Sequence, residues 1–135
     1  MGLKGGVGVL LAMTVVLAAF AVAGCGDDKP SYCTATSDLK TDVNQVADDA
    51  TSGNFADVQA DIDGVQSQAE TVVDDTKADF PSETDAVDSA VNALVNAYED
   101  LPDSPSAQDL LSLGAQAAVA VKSVDSLNDA IDSKC

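Results

Sequence analysis

The chain has 135 residues, with 23 acidic side chains, six basic ones and no histidine, for a formal net charge of −17 at pH 7. Every basic residue is a lysine, and so acidic a surface repels both nucleic acid, whose binding depends on cations meeting phosphates, and anionic lipid headgroups. Without His for proton transfer or Arg for an oxyanion or phosphate, the chain lacks the usual catalytic equipment, and neither an enzymatic activity nor a cofactor is expected of it.

The first 24 residues form three parts. Met1 to Gly6 carry one charge, Lys4; Val7 to Val22 are apolar apart from Gly8 and Thr14; Ala21 to Gly24 are small. A positive start, an apolar middle and a small-residue exit make up an export signal. The apolar run lies at the short edge of the roughly 17–25 residues that cross a bilayer, so an uncleaved span is one alternative and ordinary secretion another. The tetrapeptide Val22-Ala23-Gly24-Cys25 is similar to the bacterial lipobox. In that motif the cysteine thiol is diacylglycerylated, the leader is cut off before it, and the lipid holds the protein on a membrane. The resemblance implies a signal peptide over 1–24, a lipidated Cys25 opening a polar tether over 25–31, and a folded body over 32–135. It also implies a place on the extracytoplasmic side of the cell membrane. Eight residues from Cys25 to Cys33 reach at most about 28 Å when extended, which keeps the body close to the bilayer.

Helical periodicity dominates from residue 37 onward. Leu39, Val43, Val46, Ala47 and Ala50 share one helical face, and Gly53 is a natural stop. Asn54 with Asp57 reads as the next cap, followed by Phe55, Val58, Ile62, Val65, Ala69, Val72 and Thr76 at alternating steps of three and four. Such a stripe belongs to a helix packed lengthwise on others. Phe80-Pro81 ends it, and Ser82 with Asp85 reads as the third cap, ahead of Val87, Val91, Leu94, Tyr98 and Leu101. Pro102 stops that helix. The fourth starts either at Ser104-Pro105 or at Ser106 with Asp109, and carries Leu110, Leu113, Ala117, Val121, Val124, Leu127 and Ile131. Four amphipathic helices with short connections predict an all-α, antiparallel up-down-up-down four-helix bundle over 32–135.

The cysteines supply an independent check. An even number of antiparallel helices returns the chain to its starting end, so Cys33 and Cys135 become neighbours; three or five helices would separate them by a helix length. With Cys25 carrying lipid, these two can pair only with each other inside one chain, and outside the cytoplasm such a bond persists. Two free thiols are the alternative. The pattern resembles a loose group of small actinobacterial exported helical proteins, which have a Cys near the mature start, Leu/Val/Ala heptads, a Pro-containing mid-chain turn and a Cys at or near the C-terminus. The matching residues are Cys33, the Val58–Val72 stripe, the Pro102–Pro105 turn and Cys135. The resemblance implies fold and location, and no activity.

Three features are candidates for binding. Gln59 to Glu70 nearly overlays a calcium-binding EF-hand loop through Asp61, Asp63, Gly64 and Glu70, but Gln59 stands where an Asp belongs, and the loop would break the Phe55–Thr76 stripe. Asp48-Asp49 and Asp74-Asp75 are adjacent on helices and point about 100° apart, so neither pair forms a clamp; no dedicated metal site is expected. Helix four has only Ser112 and Gln116 as polar residues between Leu110 and Val121. Leu111, Ala115 and Val119 fall off its main stripe and form a candidate partner surface, unless this is simply the most buried helix. The expected role is a membrane-anchored envelope lipoprotein acting as a structural or protein-interaction module, with an envelope protein as its partner. The alternative is an accessory lipoprotein binding a ligand or cation between its helices.

Overall fold

The computed structural model describes residues 29–135, which form one all-α bundle; the leader and Cys25 lie outside the described residues. Four helices follow one another: α1 (Tyr32–Ser52), α2 (Phe55–Thr76), α3 (Pro81–Glu99) and α4 (Ala107–Ile131), with a closing 3-10 turn over Asp132–Lys134. Each packs against its neighbours in sequence, and α4 returns against α1, giving the antiparallel up-down-up-down ring expected.

Local chemistry sets the boundaries. Gly53 ends α1 with φ +81°, a left-handed conformation that glycine adopts without a Cβ clash. Its N–H donates to the Ala50 carbonyl, and the Asn54 N–H donates to that of Asp49, which together close a Schellman turn. Asn54 does stand before α2, but its side chain makes no cap bond; it turns back toward Asp49 instead. The Ser82–Asp85 start is a second correction. Helix α2 already ends at Thr76, and α3 begins at Pro81, whose missing N–H falls where a helix start leaves a donor unused anyway. At the next turn α3 ends at Glu99, ahead of Pro102. The two readings of the α4 start resolve to Ser106: its hydroxyl accepts from the Asp109 N–H, and Asp109 accepts from the Ser106 N–H in a reciprocal capping box.

The buried faces follow the predicted stripes closely. Leu39, Val43, Val46, Val58, Val65, Val72, Val87, Leu94 and Leu127 are fully enclosed. Within α4 the inward position after Ala117 is Ala120, and Val121 is only half-buried, so the helix turns slightly from its expected phase. Tyr98 and Leu101 also stay half-buried. One polar link crosses the α2–α3 turn. Thr76 donates its hydroxyl to the Val72 carbonyl, which leaves Thr84 to donate to the Thr76 oxygen at 2.8 Å.

Cys33 and Cys135 form a disulfide across 102 residues of sequence, with their Cα atoms 5.9 Å apart. It joins the start of α1 to the residue after the closing turn, at the end of the bundle where α2 also gives way to α3. Tyr32 meets Phe80 edge-on at 6.0 Å, and the Lys134 ammonium lies 5.4 Å from the centre of the Phe80 ring. Both ends of the described residues are thus tied to the same end of the bundle. Among the described residues no helix is long and apolar enough to cross a membrane.

Two helical glycines make opposite predictions. A Cβ on Gly64 would meet only the Asp42 carboxylate, at an ordinary 3.9 Å, whereas one on Gly114 would approach the Thr51 methyl to 3.2 Å, where α4 presses on α1. Gly64→Ala is expected to raise stability by about 0.5–1 kcal/mol through helix propensity alone, and Gly114→Ala to gain less or lose stability. Urea midpoints of the two variants check this, and an equal gain in both would contradict the α1–α4 close approach.

Candidate functional site

The bundle has two unlike ends. At the closed end, the disulfide edges a shallow cleft of about 270 Å3 whose lining includes Ser37, Lys40, Asn128 and Asp132. From the wall of this cleft Lys40 pairs with Asp125, tying α1 to α4. Lys77 pairs with Asp74 at 2.8 Å, and Ser31 donates to Asp75 at 3.1 Å. The Asp74-Asp75 carboxylates are therefore engaged separately rather than as a unit.

The distal end, where α1 turns into α2 and α3 into α4, is built differently. A second cleft of about 300 Å3 opens between α1 and α4, lined by Ala50, Thr51, Gly53, Ala107, Leu110 and Leu111. Leu111 also belongs to the outer face of α4. Leu111 and Val119 are each 53% exposed, the large hydrophobic side chains most open to solvent among the described residues. Ala115 is exposed between them. Although α4 buries more residues than any other helix, the three set apart from its sequence stripe do face solvent. Opposite, Phe55 stacks on Tyr98 at 6.0 Å, joining the start of α2 to the end of α3.

The EF-hand-like run Gln59–Glu70 lies wholly within the unbroken helix α2, so its acidic residues project in different directions instead of lining a loop. Among the described residues no group of three or more Cys, Asp or Glu side chains converges as a metal site.

One carboxylate contact was not legible in the sequence. Asp61 on α2 lies within hydrogen-bonding reach of Asp49 on α1, and one Asp61 oxygen, Oδ2, is buried without a donor. Burial first, then the hydrogen bond to Asp49 and the charges of Asp49, Asp57 and Asp42, push the Asp61 carboxyl up to about 6. The Gln45 amide, donating to Asp49 at 3.1 Å, holds that carboxyl below its usual range, and the bond to Asp61 adds to the effect. Below about pH 6 the pair therefore carries one proton, on Asp61, and above it both carboxylates are ionised. Asp42 on the same α1–α2 seam is also raised, by burial and then by the charge of Asp38. Only the spacing of Asp49 and Asp61 about the Gly53 turn could have pointed to this pair, and it does so only once the turn geometry is known.

No family model, curated protein or solved structure is a significant match to the chain.

A raised acid stabilises the fold in the acidic direction. Between the unfolded carboxylate value near 4 and the folded value near 6, the folded chain binds more protons, so stability rises as pH falls through that window. At pH 7 the ionised pair works against the fold. Asp61→Asn is expected to raise stability at pH 7 by roughly 1 kcal/mol, after allowance for solvent screening, and to remove part of the gain that the native chain shows between pH 7 and 5. Melting curves at both pH values measure this, and identical pH slopes in the native chain and the variant would show that no proton is shared.

Proposed function

We propose that the protein is a lipid-anchored module of the cell envelope that acts by protein contact and carries out no catalysis. The observation that carries the reading is Val22-Ala23-Gly24-Cys25 behind an apolar run, a lipobox-like signal whose cysteine becomes the attachment point. Three features of the folded body support it. The disulfide suits an oxidising compartment. The net charge of −17 leaves the body little electrostatic attraction to anionic lipid, so the acyl chains supply the attachment. The exposed Leu111, Ala115 and Val119 offer an apolar face of the kind that marks interaction sites.

A ligand-carrying role has less support. The two clefts are shallow and open to solvent, and neither gathers convergent polar groups around an enclosed apolar volume, as small-molecule sites do.

Cys25→Ala is expected to abolish incorporation of labelled fatty acid and leave the leader attached, as read by gel shift and intact mass; normal processing of the variant would refute the anchor. For the contact face, a photo-crosslinker at Ala115 in living cells should trap a specific envelope protein, and one at Glu70 should not. Equal capture at both positions, or none at Ala115, would count against the interaction role.

A further inference from the structure

We infer that the outer face of α4 docks a cationic amphipathic helix, whose apolar ridge covers Leu111, Ala115 and Val119 and whose Lys/Arg flanks face the distal end of the bundle. The inference rests on the protein-interaction reading and names the class of partner.

The first support is the break in charge along α4. Between Asp109 and Lys122 the helix has no ionisable residue, although the chain as a whole is strongly charged. That stretch presents about 17 Å of outer face, the length of some three helical turns. Its apolar side chains do not complete the monomer core, since Leu113, Ala117 and Ala120 on the opposite side already do so. The distal cleft continues the strip past Leu111, between Ala50, Gly53, Ala107 and Leu110, and gives one bulky side chain of a docked helix a place to insert. An apolar ridge laid along an apolar strip, anchored by a residue in a pocket, is the helix-in-groove mode of recognition.

The second support is the distribution of charge. Lys29, Lys77 and Lys134 lie at the disulfide end, and Lys40 and Lys122 lie near mid-length on the same side of centre. The distal half of the described residues therefore has no lysine, while Asp48, Asp57, Glu99, Asp100 and Asp103 stand exposed there. An apolar strip that runs into a purely anionic end favours cationic flanks and repels acidic ones. The same charge argues against a second copy as the occupant, because it would bring a further −17 to the interface. With three exposed apolar side chains, the strip also falls far short of the roughly 20–30 residues that each partner of a stable dimer contributes. Lys122 at the inner limit of the strip sets the direction: the cationic part of the partner lies toward Leu111 and away from Val119.

The test is a titration of the isotope-labelled full-length chain, in non-ionic detergent, with a synthetic Leu/Lys amphipathic peptide of about 18 residues, or five turns. Amide shifts of the chain report where it binds, and a peptide with Glu in place of Lys is the control. Expected are saturable one-to-one binding and shifts centred on 107–122 and 47–53. The doubly substituted Leu111→Ser/Val119→Ser chain should bind about tenfold or more weakly. Both side chains are largely exposed, so the fold is retained. Asp100→Asn/Asp103→Asn should weaken binding and its salt dependence, whereas Asp74→Asn/Asp75→Asn at the other end should not. Undiminished affinity in the Leu111/Val119 variant would reduce the effect to bulk charge and overturn the proposal. Equal binding of the Glu peptide, shifts centred on the disulfide end, absence of saturable binding, or self-association that covers the strip would each do the same. If the peptide fails while a crosslinker at Ala115 still traps an envelope protein in cells, the partner class is wrong and the interaction reading stands; if both fail, the reading falls with it.

Discussion

The Cys33–Cys135 bond can form only because four antiparallel helices bring the chain back to the end from which it set out. The rest of the molecule depends on this closure. The core is made largely of Val and Ala with a few Leu and Ile, side chains that bury modest area, in a domain whose folded state stands only a few kcal/mol below the unfolded one. Closing a loop of about 100 residues removes unfolded-chain entropy worth up to about 4.7 kcal/mol in the chain-entropy model, comparable to the whole margin. Local devices then fix the path between the two cysteines: the Gly53 turn, Pro81 at the start of α3, and the Ser106–Asp109 box.

Closure also gives the bundle a polarity. The stapled end gathers the chain termini of the described residues, the Tyr32–Phe80–Lys134 cluster and most of the lysines. An anchor at Cys25 would place this end toward the bilayer, within about 28 Å of extended tether. The far end is left anionic, with the α1–α2 carboxylate pair, the distal cleft and the start of the apolar strip. A single covalent link thereby relates the proposed anchor to the proposed contact face, one at each end of the same helices.

Much of this architecture was legible in the sequence because it rests on periodicity, which is local. The Val58–Val72 stripe is buried as its spacing required, and so is the Leu39–Ala50 face except for Ala47, which stays half-buried at its edge. Leu111 and Val119 were separable from the α4 core by phase alone. Helix starts were less legible, because caps compete at close range: Ser82 and Asp85 look like a cap, yet Pro81 one residue earlier is the better first position. The shift from Val121 to Ala120 arises from how α4 lies on its neighbours, which no single stripe encodes. The Asp49–Asp61 pair was invisible for the same reason, since it lies across two helices and depends on the Schellman turn that sets their register.

Equilibrium urea unfolding of the full-length chain, followed by far-ultraviolet circular dichroism with and without reductant, tests the dependence on closure most directly. The disulfide-bonded chain should unfold in one transition, and reduction should lower its stability by about 2–5 kcal/mol, enough to shift the midpoint far toward zero urea. Superimposable curves would mean that the Val/Ala core holds the bundle by itself and that the staple is incidental.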